Sequence, residues 1–164
     1  MTIKNRLFWI AAFVGLMLDQ VSKYWVVQGM ELGQSIPLWD NVFHLTYVTN
    51  KGAAFSMFTG GVWWLRWLSL GVSCGLILLA LLGPALPRWE QYGWGFVLAG
   101  AMGNGIDRFA SGEVVDFLEF RLIRFPIFNM ADVFINVGIA CLLFAMFIAP
   151  SSTKGKGDRP SSDS

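Results

Sequence analysis

The sequence predicts an all-α membrane protein with a small β element. Of its 164 residues, 55% are hydrophobic and only 14% are charged, which is too apolar for an ordinary soluble domain of this size. Four apolar segments approach the roughly 20 residues that a helix needs to cross a bilayer. One longer connection has the rough alternation of β-branched and aromatic residues that is typical of a strand. We therefore expect four transmembrane helices and a β element outside the hydrocarbon.

The four helices follow from four apolar runs. The first run, 7–27, comes after a basic start like a signal peptide, but it is too long and lacks a small-residue cleavage site, so we expect it to be retained. The second covers 62–82, and the third, 92–109, is rich in Gly and Ala. The fourth, 127–149, begins with polar FNMAD, and Pro126 suits a helix start.

The β element is predicted in the connections. The first connection is about 35 residues long, which is unusual for an idle loop, and VFHLTYVTN at 42–50 predicts a strand. The third connection, 110–126, mixes apolar and charged residues and predicts a short strand or interfacial segment. We expect one membrane domain at 1–150 and a disordered polar tail at 151–164.

The charge pattern predicts an orientation and excludes one class of partner. Four spans place both termini on one side, and the Lys and Arg of the N-terminus, second loop and tail predict that this side is cytoplasmic. A net charge of +1 without a basic run argues against nucleic-acid binding. Cys74 and Cys141 fall in predicted spans and are expected to be small core residues. With one histidine, His44, a His cluster is excluded, and we expect no metal or cofactor.

Charged residues in the first and third spans require partners. Asp19 and Lys23 are at i and i+4, the favourable order for a helical ion pair, although Lys23 snorkelling outward while Asp19 pairs with Arg108 or Lys51 is an alternative. At the end of the third span, Asp107 is expected to neutralise Arg108 or another cation.

Asn104, Asp107 and Arg108 lie at helical spacings of three and four. Asn129, Asp132 and Asn136 have the same spacings in the fourth span and are predicted to share one helical face. Such a stripe either packs against other helices through hydrogen bonds or belongs to a site.

Asp116 and Asp132 are carboxylates without an obvious local cation. If the third connection folds back onto the start of the fourth span, their side chains come within a few ångströms. Two carboxyl groups at that distance cannot both ionise in a poorly solvated site, so they share a proton. One then activates a water and the other protonates the developing oxyanion, as in aspartic proteases.

Five motifs in order resemble one family. LDQVSK, NKGAAFS, GNGIDR, VVDF and FNMAD are similar to the motifs of the bacterial lipoprotein signal peptidases (signal peptidase II), the intramembrane aspartyl enzymes that remove signal peptides from lipid-modified prolipoproteins. The resemblance implies that Asp116 and Asp132 are the catalytic dyad. It also implies a set of residues that support the site or contact the lipopeptide: Asp19, Lys23, Asn50, Gly52, Asn104, Asp107, Arg108, Asn129, Ala131 and Asn136.

The resemblance further implies four transmembrane helices, an extracytoplasmic β-cradle built from the outer loops, and an active site near the outer face of the bacterial inner membrane. The implied substrate is a diacylglyceryl-modified prolipoprotein, cut just before the lipidated cysteine, and the implied inhibitor is globomycin. We expect contact with membrane lipid and a monomer. Extended backbone at 50–55 is a hypothetical clamp that holds substrate by strand addition or by side-chain hydrogen bonds.

Other classes of protein explain parts of the pattern. A proton-coupled carrier would relay ions through Asp19, Asp107 and Asp132, but the acids concentrate near one membrane face, whereas carriers favour the midplane. A magnesium-dependent phosphotransferase would use Asp107, Glu113 and Asp116 as oxygen ligands, and a chelator would then abolish activity. A scaffolding membrane protein needs none of these polar residues.

Overall fold

The computed structural model describes residues 4–52, 63–123 and 125–148, where it contains four helices and one three-stranded antiparallel sheet. The expectation for the tail lies outside the described residues. In chain order, the elements are α1 (Arg6–Gly29), β1 (Ser35–Trp39), β2 (Phe43–Asn50), α2 (Trp63–Leu82), α3 (Arg88–Ala110), β3 (Val114–Phe120) and α4 (Met130–Ile148).

Three of these helices, α1, α2 and α4, are long and apolar enough to cross a membrane. The fourth, α3, has 23 residues but is less apolar because it contains five glycines and several polar side chains. It contacts each of the other three helices, so less of its surface faces outward. Large apolar side chains are exposed on the outer helices, such as Leu82 (79%) and Phe147 (86%), as expected for surfaces that face lipid.

Small residues allow α3 to pack closely against its neighbours. A Cβ on Gly138 of α4 would lie 2.6 Å from the backbone oxygen of Gly93 in α3, so a larger residue would force the helices apart. Phe8, Leu76 and Leu98 are buried where α1, α2 and α3 meet. The end of α3 is thereby fixed relative to α1 and α4, which carry the other polar residues of the candidate site.

The sheet has the order β1-β2-β3, and β2 matches the predicted strand. The register between β2 and β3 shifts between Leu45 and Val48, after which Val48 lies opposite Asp116. Such a bulge changes the direction of the side chains that follow it. A bridge between Leu118 and Phe128 then joins β3 to the segment before α4. The third connection therefore folds back onto the start of the fourth helix, as hypothesised.

Some predicted boundaries and positions are wrong. The fourth helix begins at Met130 and not near residue 127, because Phe128 exchanges backbone hydrogen bonds with Leu118 of β3. The third helix begins at Arg88 and not near residue 92, directly after Pro87. Strand β1 was not predicted. Both cysteines are free and helical, but Cys74 is exposed, so its predicted core position is also wrong.

Candidate active site

The predicted polar residues meet at one end of the helices. The second half of α1, the end of α3 and the first turn of α4 lie there beside β2 and β3, and hydrogen bonds connect their side chains. The residues in this network are Asp19, Lys23, Asn50, Asn104, Asp107, Asp116, Asn129 and Asp132.

Lys23 is the cation of this network. Its ammonium group lies 2.9 Å from Asp19 Oδ2 and 2.8 Å from Asp107 Oδ2, and it donates to Asn104 Oδ1 at 3.1 Å. The side chain is 5% exposed, and three acceptors match its three donors. The alternative in which Lys23 snorkels outward is therefore wrong. Asp107 neutralises Lys23 and not its neighbour Arg108.

Asp19 connects α1 to the start of α4. Its Oδ1 accepts a hydrogen bond at 2.8 Å from the backbone N–H of Ala131, one of the N–H groups that a helix start leaves without a partner inside the helix. The Nε2 of Gln20 donates to both Asp19 Oδ2 and Asp107 Oδ1, at 3.1 and 3.2 Å. Sequence reasoning missed Gln20, although it lies inside LDQVSK next to Asp19. Sequence reasoning also missed Gly103. A Cβ at this position would contact Asp19 Oδ2, so the site needs a glycine here.

Asn129 and Asp132 cap α4 reciprocally. The Asp132 N–H donates to Asn129 Oδ1 at 3.1 Å, and the Asn129 N–H donates to Asp132 Oδ2 at 3.2 Å. This is the geometry of a capping box, with Asp in the position where Glu or Gln is usual. The carboxylate of Asp132 thus lies in the first turn of α4, where the helix dipole favours negative charge.

Two asparagine side chains connect the carboxyl groups of Asp116 and Asp132. Asn129 Nδ2 donates to Asp116 Oδ1 at 2.6 Å, and Asn104 Nδ2 donates to Asp132 Oδ1 at 2.9 Å. Asn129 Nδ2 also donates to Asn104 Oδ1 at 3.0 Å, and Asn50 Nδ2 donates to Asp116 Oδ2 at 3.0 Å. Among the described residues, both carboxyl groups are held by amide N–H donors and neither forms an ion pair.

Asp116 is in β3, outside the helices, and it is 3% exposed. Burial raises its pKa from 3.8 to about 6; the hydrogen bond from Asn50 opposes this change, and the negative charge of Asp132 adds to it. Asp132 is therefore close enough to influence the ionisation of Asp116.

The remaining predicted residues have lesser or different contacts. The Gly52 N–H donates to Asn50 Oδ1 at 2.9 Å and fixes which way that amide points. Arg108 donates to the Asn104 backbone oxygen at 3.3 Å. Asn136 is exposed and donates to the backbone oxygen of Asp132 at 2.8 Å. Asp132 and Asn136 therefore lie four residues apart in α4 as predicted, whereas Asn129 precedes the helix and caps it. The hypothetical clamp at 50–55 extends beyond the described residues.

The contacts of the three carboxylates predicted as magnesium ligands disfavour the phosphotransferase hypothesis. Within 4–52, 63–123 and 125–148, no group of three or more His, Cys, Asp or Glu side chains is arranged to hold a metal ion. Two of the three proposed ligands face lysines instead: Asp107 pairs with Lys23, and Glu113 with Lys51 at 3.1 Å.

The fold and the site define a helical membrane protein with a buried carboxyl group, Asp116, and a half-buried one, Asp132, joined by asparagine side chains at one end of its helices. The chain belongs to the signal peptidase II family, whose model, Signal peptidase (SPase) II, matches residues 11–148. It is therefore a membrane protease, and the resemblance seen in the five motifs is confirmed.

Curated relatives and a solved structure are similar to this chain over nearly its whole length. A lipoprotein signal peptidase of Nostoc sp. is 65% identical over 153 residues, which cover 93% of this chain and 97% of the relative. One of Nostoc punctiforme is 62% identical over 158 residues, covering 96% and 100%. A solved bacterial membrane enzyme superposes with a TM-score of 0.80 at 28% identity, covering 92% of this chain and 93% of that one.

Proposed function

We propose that this protease removes the signal peptide from diacylglyceryl-modified prolipoproteins, cutting just before the lipidated cysteine, and that Asp116 and Asp132 activate the attacking water. The observation that carries the mechanism is the bridge through Asn129. Its side chain binds Asp116 and its backbone N–H binds Asp132, so one residue holds both carboxyl groups. The coupling between the two carboxyl groups is what a shared-proton pair requires.

The surroundings support different roles for the two acids. The Asp132 oxygens accept hydrogen bonds from the Asn104 side chain and the Asn129 backbone at the start of α4, and we assign this carboxyl group the role of general base. Burial gives Asp116 a pKa of about 6, which suits a general acid. Asp132 takes a proton from water as its oxygen bonds to the peptide carbon, and Asp116 donates a proton to the carbonyl oxygen. As the C–N bond breaks, the proton on Asp132 passes to the leaving nitrogen, and Asp116 recovers its own.

The position of the site supports a lipid-modified substrate. Because the carboxyl groups lie at the end of helices that can cross a membrane, a lipidated peptide can reach them while its acyl chains stay in hydrocarbon. The signal helix would lie between the spans.

Several finer features belong to the same proposal. We infer that α3 is a fourth span, because the other helices surround it and reduce its exposed surface. The sheet acts as a cradle outside the bacterial inner membrane, with both termini cytoplasmic. The protein works as a monomer in contact with membrane lipid, without a cofactor, and globomycin-type inhibitors occupy the substrate site.

The test is cleavage of a purified diacylglyceryl-modified precursor. Asp116→Asn and Asp132→Asn are each expected to lower kcat by about 10²- to 10⁴-fold, because each removes one proton-transfer group. Asp40→Asn, in the exposed turn between β1 and β2, is the matched control and should cleave normally.

Thermal unfolding of each variant separates lost chemistry from lost folding. Normal turnover by either Asp116→Asn or Asp132→Asn would refute the mechanism. Equal cleavage of the same precursor without its diacylglyceryl group would refute the proposed substrate. Accumulation of a solute in vesicles that depends on Asp132, without any cleavage, would favour the carrier.

A further inference from the structure

A second polar feature lies at the same end of the helices as the carboxyl groups. It is a cavity of about 280 Å³ between the first turn of α2, the end of α3 and the turn into β3. We call it the basic cavity. Its lining includes Lys51, Trp63, Arg66, Arg108, Ser111 and Glu113.

We propose that the basic cavity binds the phosphate group of an anionic phospholipid in the surrounding bilayer. This lipid is distinct from the substrate, since a diacylglyceryl-cysteine carries no phosphate. Because water occupies ~30 Å³ in the liquid, the cavity has room for a phosphodiester and several waters.

The charge of the cavity favours an anion. Glu113 is the acidic residue in the cavity lining, and its carboxylate forms a 3.1 Å ion pair with Lys51. The pKa of Glu113 is lowered, most by a hydrogen bond with Thr49 and next by one with Lys51. Glu113 therefore stays ionised and neutralises Lys51. Neither Arg66 nor Arg108 forms an ion pair with a described carboxylate. Nearby negative charges of Asp132, Asp116 and Asp107 act on Arg108 without contacting it, so Arg66 supplies the main positive charge for a ligand and Arg108 adds hydrogen-bond donors.

Arg108 offers a donor that the described residues leave unused. Its Nε is buried and has no hydrogen-bond partner there, although its Nη1 donates to the Asn104 backbone oxygen. A buried N–H without a partner is unfavourable, and buried polar groups in native proteins are usually satisfied. The planar guanidinium donates two parallel hydrogen bonds to phosphate oxygens, which makes phosphate a suitable ligand.

The position of the cavity favours a lipid as the source of the phosphate. Trp63 and Trp67, in the first two turns of α2, are 64% and 55% exposed, and exposed indoles at a helix end settle at the level of lipid head groups. Arg66 lies between them, 6.0 Å from the ring centre of Phe109. Basic pockets between membrane helices are known binding sites for anionic head groups. A choline head group brings its own cation, which the two arginines would repel.

The experiment measures lipid retention by native mass spectrometry. The purified full chain is equilibrated in detergent with equal amounts of phosphatidylglycerol and phosphatidylcholine. We expect the wild type to retain phosphatidylglycerol in preference, and Arg66→Gln to lower this preference about tenfold by removing a charged hydrogen-bond donor. Glu113→Gln should raise it, because the cavity then gains net positive charge. Arg88→Gln, at the opposite end of α3, is the control and should match the wild type.

Equal retention of the two lipids by the wild type would overturn the proposal, as would an unchanged preference in Arg66→Gln. Displacement of the lipid by millimolar inorganic phosphate would assign the cavity to a soluble anion, and displacement by an acidic peptide to a carboxylate; either result refutes a lipid site. If Arg66→Gln does not fold, the opposite shift in Glu113→Gln remains the test. Asp132→Asn should retain the lipid normally, which separates this inference from the proposed peptidase mechanism.

Discussion

The end of the helix bundle contains two pairs of aspartates in opposite electrostatic settings. Asp19 and Asp107 both contact the buried ammonium group of Lys23. Asp116 and Asp132 are bound by asparagine side chains and a backbone N–H. The first pair is charge-compensated, whereas the second leaves negative charge without a cation in direct contact among the described residues.

The difference indicates which pair can exchange protons. Protonation of either carboxyl group in the first pair would remove an ion pair with the buried Lys23 and leave the lysine with fewer partners. A carboxyl group held by neutral amides is stable enough to stay in place in both protonation states. Asn104 connects the pairs, because its oxygen accepts from Lys23 and its nitrogen donates to Asp132. The compensated pair thereby positions the pair that we propose to be catalytic.

Removal of the Lys23 charge should have the largest effect on stability. Lys23→Met keeps much of the volume but leaves Asp19 and Asp107 as buried charges without a cation, which should destabilise the fold by about 3 to 5 kcal/mol. Thermal or denaturant unfolding in detergent measures the loss. Lys51→Met is the matched control: that lysine is 78% exposed in its ion pair with Glu113, so about 1 kcal/mol or less is expected. Equal losses in the two variants would contradict the contrast between buried and exposed pairs.

The pH dependence of stability should reveal the protonation of Asp116, one member of the second pair. Because the pKa of Asp116 is about 6 when folded and 3.8 ordinarily, the folded state binds this proton more tightly. The resulting stabilisation is complete below pH 3.8 and is lost as the pH rises through about 6; it corresponds to about 3 kcal/mol. Asp116→Asn should flatten the change between pH 3.8 and about 6.

The measurement is the unfolding midpoint as a function of pH. Asp40→Asn is the control, since Asp40 is exposed and should leave the wild-type slope unchanged. A slope that survives in Asp116→Asn would mean that another group binds the proton.

Hydrophobic runs and local spacing were sufficient to predict much of this architecture. The first two helices were predicted within about two residues because lipid-facing helices are apolar on most sides. The Asp19 and Lys23 pair was predicted because i and i+4 positions are neighbours on any helix. Strand β2 was predicted from its alternation of side chains.

Features that depend on tertiary contacts could not be predicted. The five residues of β1 are all exposed and include Pro37, so no alternation marks this strand. The start of α4 depends on the pairing of Phe128 with β3. The role of Gln20 depends on Asp107, which is 87 residues away in sequence. The sequence contained these residues, but only the fold brings their partners together.

The smallest effect that we predict concerns the space beside the compensated pair. A Cβ on Gly103 would meet Asp19 Oδ2, whose carboxylate is fixed by Lys23 and by the Ala131 N–H, so it has little freedom to move. Gly103→Ala should therefore destabilise the protein by about 1 to 3 kcal/mol, as overpacking does. Gly75→Ala in α2 is the control, because nothing lies within 4 Å of its Cβ. If unfolding measurements showed Gly103→Ala to be as stable as Gly75→Ala, the carboxylate of Asp19 would not be rigidly held, and the compensated pair could not act as the positioning element.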